Sequence, residues 1–120
     1  MIFHIAVLAD WQAALLIGSY VPPSLDTEGF IHCSTRAQII GTANLFYWGR
    51  TDLVLLNIDE TRLAAPLRYE TPASANDVRA ALSFPHLYGP LNLDAVRGVH
   101  PFRCAADGSF QLPSGLADID

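Results

Sequence analysis

The sequence contains no lysine. Its positive charge rests on seven arginines (Arg36, Arg50, Arg62, Arg68, Arg79, Arg97 and Arg103), spread singly along 120 residues with a formal net charge of −5. Scattered arginines make no basic stripe, which excludes a track for an extended nucleic-acid backbone. One phosphate or a short RNA end stays open, since it needs only one or two guanidinium forks. Cysteine is nearly absent too: Cys33 and Cys104 could form at most one bridge, with no CxxC or zinc-ribbon spacing. That excludes a disulfide framework, and both are expected as reduced, mostly buried thiols. Charged residues make up only 16% of the chain and hydrophobic ones 51%, a balance that excludes a disordered chain. The longest apolar run, Ile2 to Ala9, is interrupted by His4 and is too short to span a bilayer. It carries neither a basic leader nor a small-residue cleavage site, so a soluble cytoplasmic protein is expected, with no membrane partner. The eight glycines are isolated, without GxGxxG or GxxxxGK, and neither Ser24 nor Ser34 sits in GxSxG. Dinucleotide, P-loop and serine-hydrolase readings fall away together.

What is present reads as one domain over residues 1–120, with a short tail at 113–120. Residues 2–7 and 53–58 read as strands, the second apolar on both faces and therefore central. Asp10 is a natural N-cap for a helix from Trp11 to Ile17, with Gly18 as its stop. Val21-Pro22-Pro23-Ser24 reads as an extended loop. A strand over 29–34 leads to a capping box, Thr35 with Gln38, opening a helix to about Tyr47. Its apolar stripe is Ile39, Ile40, Ala43, Phe46 and Tyr47. A helical turn at Glu60–Leu63, strands at Leu67–Glu70, Phe84–Tyr88 and Val99–Arg103, and a hairpin arm at Ser109–Leu112 follow. Residues 71–83 read as a loop with one helical turn, and Asn92–Val96 as a turn. The order predicts an α+β fold: two main helices in the N-terminal half on a strongly bent or split small sheet.

Side chains alternate across a strand, so faces follow from position alone. In the 29–34 strand Phe30, His32 and Ser34 share one face, with Ile31 and Cys33 on the other. His32 is therefore badly placed to activate Cys33, which is expected in the core beside Ile31. His86 and Tyr88 share a face, as do Arg68 and Glu70. Polar His4, His32, His86 and Glu70 thus interrupt hydrophobic strands, and each is costly to bury without a partner. A single strand histidine is ordinarily satisfied by a backbone carbonyl. Three on three strands weaken that reading, and whether they converge on one pocket is left open by the sequence. No helical histidine spacing or HExxH supports a metal, although a metal-dependent hydrolase using His4, His32 and His86 remains an alternative. His100 is expected at the surface or in packing. Trp11 and Trp48 are expected as core anchors, and Tyr20, beyond Gly18 and before two prolines, as a ring able to close over a ligand.

Dense motifs carry a resemblance. Phe3-His4-Ile5, Trp11, Gly18, Tyr20, Ser24-Leu25, Glu28 to Thr35 and Gln38 are similar to the bacterial family called domain of unknown function 952. Asp52-Leu53-Val54-Leu55-Leu56, Leu67-Arg68-Tyr69-Glu70 and Phe84-Pro85-His86-Leu87-Tyr88-Gly89-Pro90-Leu91 extend it over about residues 2–112. That family in turn resembles the ADP-ribosyltransferase superfamily, above all its RNA 2'-phosphotransferase branch. The resemblance implies an ADP-ribosyltransferase-like fold, with His4 as the first-strand histidine and His32 with Ser34 as a His-x-Ser element. The third position falls on Glu70 or near His86. It further implies NAD, ADP-ribose or an RNA 2'-phosphate as ligand, NAD serving as substrate. His4, His32, Ser34, His86 and Glu70 would carry the chemistry, while Tyr20, Tyr88 and Arg68 line the ligand. A non-catalytic module binding a small anionic metabolite in the same pocket is the alternative.

Overall fold

A computed structural model describes residues 1–72, 76–77 and 79–116. Its strands are β1 (Ile2–Val7), β2 (Ser19–Tyr20), β3 (Ile31–His32), β4 (Ser34–Thr35), β5 (Leu53–Ile58), β6 (Leu67–Glu70), β7 (Phe84–Leu87), β8 (Leu91–Asn92) and β9 (Val96–Phe102). The helices are α1 (Leu8–Ile17), α2 (Ser24–Thr27) and α3 (Arg36–Phe46). The strands make three antiparallel sheets, ordered β4-β1-β5-β9, β2-β8 and β3-β7-β6. This is a small mixed α and β domain with a split sheet. Among the described residues no helix is long and apolar enough to cross a membrane.

The four-stranded sheet carries core on both faces, which is why β1 and β5 lack the alternation of a half-solvated strand. Val54, Leu56 and Ile58 of β5 join Ile2 and Ala6 of β1, Trp11 and Ala14 of α1, and Ile31 and Leu87 in one apolar cluster. Leu53 and Leu55 point the other way, to Phe3, Ile5, Phe102 and Phe110, under Ile39 and Ala43 of α3. Each fully buried leucine, isoleucine or phenylalanine among them contributes about 1.5–3 kcal/mol. The three-stranded sheet lays Ile31 and Leu87 on the first cluster, so its opposite face turns away from that core.

Local signals explain the helix ends. Gly18 closes α1 at φ +93°, its N–H bonded to the Ala14 carbonyl at 2.7 Å. Thr35 and Gln38 form the expected capping box, the Gln38 amide oxygen accepting from the Thr35 N–H at 3.0 Å. Asp10 lies in the first turn of α1 instead of capping it. The Leu8 N–H is taken by the Asp52 carbonyl at 2.8 Å, so strand passes straight into helix. Three further expectations change. Ser24 begins the short helix α2. Residues 109–112 carry no strand; the turn before them, 105–109, is closed by the Ala105 N–H to the Ser109 carbonyl. Trp48 is 55% exposed, whereas Trp11 is an anchor as expected. His100 packs half-buried on β9, within the expectation for it, with Nε2 enclosed and unpartnered among the described residues.

The largest difference lies at residues 29–34. A single strand is expected, but the chain changes sheets there: β3 pairs with β7, and β4 pairs with β1. Cys33 is the joint, its N–H donating to the Pro85 carbonyl at 3.0 Å. The change of sheet opens a cleft beside α3.

Candidate functional site

A cavity of about 500 Å³ lies between the outward face of the β3-β7-β6 sheet and α3. Its size falls in the range of small-ligand sites. Antiparallel register builds one wall: His32 of β3 stands opposite His86 of β7, which stands opposite Arg68 of β6. Glu70 and Phe84 form the next pair of the same face. His32, Ser34, Phe84 and His86 reach the cavity, as do Glu28 and Phe30, and Thr42 and Phe46 of α3 close the other side.

The two imidazoles are 5.7 Å apart between ring centroids, and each is tied to a carboxylate. His86 donates from Nδ1 to Glu70 at 2.9 Å, and His32 donates from Nε2 to Glu28 at 2.6 Å. Gly29, at φ +87°, turns the chain so that Glu28 lies back against His32. The His86 side chain is 6% exposed and that of His32 54%, so one imidazole is sunk in the wall and the other stands at the mouth. Phe30 fixes both rings, stacking on His86 at 4.0 Å and meeting His32 edge-on at 4.7 Å. Glu70 also accepts from the Tyr88 hydroxyl. The bonds from Tyr88 and His86 hold its carboxyl below the usual range, and the same carboxylate pushes the Tyr88 phenol up. The Arg68 guanidinium covers the Tyr88 ring at 5.1 Å. Glu70, Tyr88 and Arg68 therefore extend the wall beside the cavity and are not among its lining residues.

The opposite end was not legible from sequence. Arg79 chelates Asp77 with Nε and Nη2 at 3.1 and 3.0 Å, and lies against the rings of Phe46 and Phe84 at 4.7 and 4.4 Å. Its Nη1 donates to the Thr42 hydroxyl at 3.2 Å, and Thr42 meets the Ser34 hydroxyl at 3.2 Å. Thr42 thus links the Arg79 guanidinium to Ser34, and either hydroxyl of the Ser34–Thr42 pair can be its donor. With Thr42 as the donor of that pair, the Ser34 O–H faces the cavity at the end of a polarised chain.

His4 and Tyr20 lie elsewhere. His4 shares the β1 face with Ile2 and Ala6 and is 7% exposed. Its Nδ1 bonds the His32 carbonyl at 2.6 Å, and its Nε2 bonds the Tyr20 hydroxyl at 2.8 Å. A carbonyl only accepts, so Nδ1 carries the proton and Nε2 receives the phenol proton. Burial drives the His4 pKa down to about 4, against a partial rise from that carbonyl bond. Tyr20 is 3% exposed because β2 pairs with β8, which turns its ring inward toward Trp11. Of the three strand histidines, two, His32 and His86, share the cavity. His4 braces the peptide of His32 from the core side, and Tyr20 braces His4. Cys33 is buried as expected, and desolvation raises its thiol to about 12. Among the described residues, no group of three His, Cys, Asp or Glu side chains is placed to hold a metal ion.

The residues of this wall, Glu28 to Ser34 and Phe84 to Tyr88, lie within a matched stretch: a family model described as "Protein of unknown function (DUF952)" matches residues 5–99. The chain belongs to the DUF952 family. Its fold is similar to that of protein CC0527 from Caulobacter crescentus. The crystal structure of CC0527 has a TM-score of 0.81 and 32% identity, covering 97% of each chain. The solution NMR structure gives 0.79 and 33%, covering 97% of this chain and 96% of that one. No curated protein matches the sequence. The DUF952 match and these neighbours supply a family and a fold.

Proposed function

We propose that this DUF952 protein binds a small phosphate-bearing nucleotide in the cleft between its three-stranded sheet and α3, and that His32 and His86 move protons on it. One observation carries the reading: two imidazoles, each held by its own carboxylate, border a single cavity of about 500 Å³. A carboxylate orients an imidazole and stabilises its protonated form, the arrangement that general acid–base chemistry uses. Aromatic Phe30, Phe46 and Phe84 offer faces for a planar ring, and the Ser34 hydroxyl offers a donor for an anionic oxygen. Resemblance to the ADP-ribosyltransferase and RNA 2'-phosphotransferase superfamily also supports a nucleotide ligand, by analogy of fold. In this reading His4 acts through the His32 peptide, and Glu70 acts through His86.

Thermal unfolding with NAD+, ADP-ribose, a 2'-phosphorylated oligoribonucleotide or inorganic phosphate tests it. A ligand at 100 times its Kd stabilises by about 2.7 kcal/mol, an upward Tm shift of several degrees in a domain of this size. At least one nucleotide should give such a shift, lost in His86→Ala and in His32→Ala. No shift with any of the four would refute the proposal.

A further inference from the structure

Resting on the nucleotide reading of the cleft, we infer that the His32–His86 pair opens ribose 2',3'-cyclic phosphates, on a mononucleotide or at the end of a short RNA. The two rings, 5.7 Å apart on paired strand positions, can reach the oxygens of one phosphoryl group. His86 presents Nε2 and His32 presents Nδ1, because Glu70 and Glu28 occupy the other nitrogens. One imidazole, neutral, takes a proton from water as the water oxygen bonds to phosphorus. The other, protonated, gives its proton to the departing ribose oxygen as that P–O bond breaks. One water is consumed, one phosphomonoester forms, and the two histidines exchange protonation states, to be reset by solvent.

Charge developing on the non-bridging oxygens meets the Ser34 hydroxyl, polarised through Thr42 by Arg79. A strained five-membered phosphodiester is the phosphorus substrate that suits two proton transfers alone, since ring strain supplies part of the driving force. Cavity size and the absence of a basic track both favour a mononucleotide or a terminus over an RNA interior. Cleavage of a nicotinamide–ribose bond asks instead for a carboxylate beside the cation. Here Glu70 is engaged by His86 and Tyr88 beside the cavity.

The test is 31P NMR of the full-length protein with each of the four nucleoside 2',3'-cyclic monophosphates, alongside binding of the corresponding monophosphates. The wild type should convert the cyclic resonance to a single monophosphate isomer, with a bell-shaped pH profile and no loss on adding a chelator. His32→Gln and His86→Gln should each lower the rate by about 10²–10⁴-fold, each abolishing one limb of the bell. Their circular dichroism and monophosphate binding report folding separately. Monophosphate binding without ring opening by the wild type would overturn this inference and leave the nucleotide site standing. Loss of ring opening on chelation would overturn it as well. Absence of both binding and turnover would overturn the inference and the site together.

Discussion

Stability should fall in mild acid because of His4. The imidazole is buried between β1 and the β3–β4 joint, hydrogen-bonded at both nitrogens as a neutral group. Desolvation moves its pKa from 6.5 to about 4, with the His32 carbonyl opposing and the His32 charge adding to the shift. The unfolded chain binds a proton below pH 6.5, and the folded chain resists until about pH 4. The contribution is therefore complete above pH 6.5, shrinks as pH falls, and is gone below the folded value. At 1.36 kcal/mol per unit, the loss across that window is about 3 kcal/mol. Urea unfolding at a series of pH values, wild type against His4→Gln, isolates it, because other titrating groups cancel in the difference. The wild-type advantage should narrow by about 3 kcal/mol between pH 7 and pH 4. A difference independent of pH would refute the neutral, buried assignment.

Further expectations follow from other parts of the molecule. Cys33, with its thiol near 12 and 4% exposed, should resist iodoacetamide at pH 8 in the native protein while half-buried Cys104 reacts; labelling read by mass spectrometry checks this. Removing the negative charge with Glu70→Gln should move the Tyr88 phenol down, so one tyrosine step in an ultraviolet pH titration shifts to lower pH. Gly18 and Gly108 have φ of +93° and +95°, but an alanine Cβ meets open space at the first and the Trp48 indole at 2.5 Å at the second. Gly18→Ala should cost about 1 kcal/mol in denaturant unfolding, and Gly108→Ala more, with altered Trp48 fluorescence only in the latter. Thr35→Ala removes half of the capping box and should cost about 1 kcal/mol by the same assay.

Much of the scaffold was legible because local chemistry decides it. Leu53–Ile58 is apolar at every position but Asn57, as a strand covered on both sides must be. The Thr35 and Gln38 pair and Gly18 mark helix ends by hydrogen bonds made within a few residues. Strand alternation joins His86 with Tyr88 and Arg68 with Glu70 within their own strands; only the β6–β7 register puts the two pairs on one face. The break at Cys33 had no local signal: residues 29–34 read as one strand, and the change of sheet is imposed by distant partners on β7 and β1. His4 reads like a pocket residue until Tyr20 and the His32 carbonyl arrive from elsewhere in the chain. Arg79 is one of seven isolated arginines, and nothing nearby announces that Phe46, Phe84 and Thr42 will enclose it. The segment Glu28 to Thr35 nevertheless contributes both a carboxylate and an imidazole to the cavity.

The central claim is that His32 and His86 meet a nucleotide while His4 serves the core. Histidine ring resonances in 1H–15N NMR, followed during titration with ADP-ribose, test it most directly. The account predicts that the His32 and His86 signals move along one saturation curve, while the His4 signals stay in place with the Nδ1-protonated pattern. Movement of neither cleft histidine, under conditions where ADP-ribose binds, would contradict it.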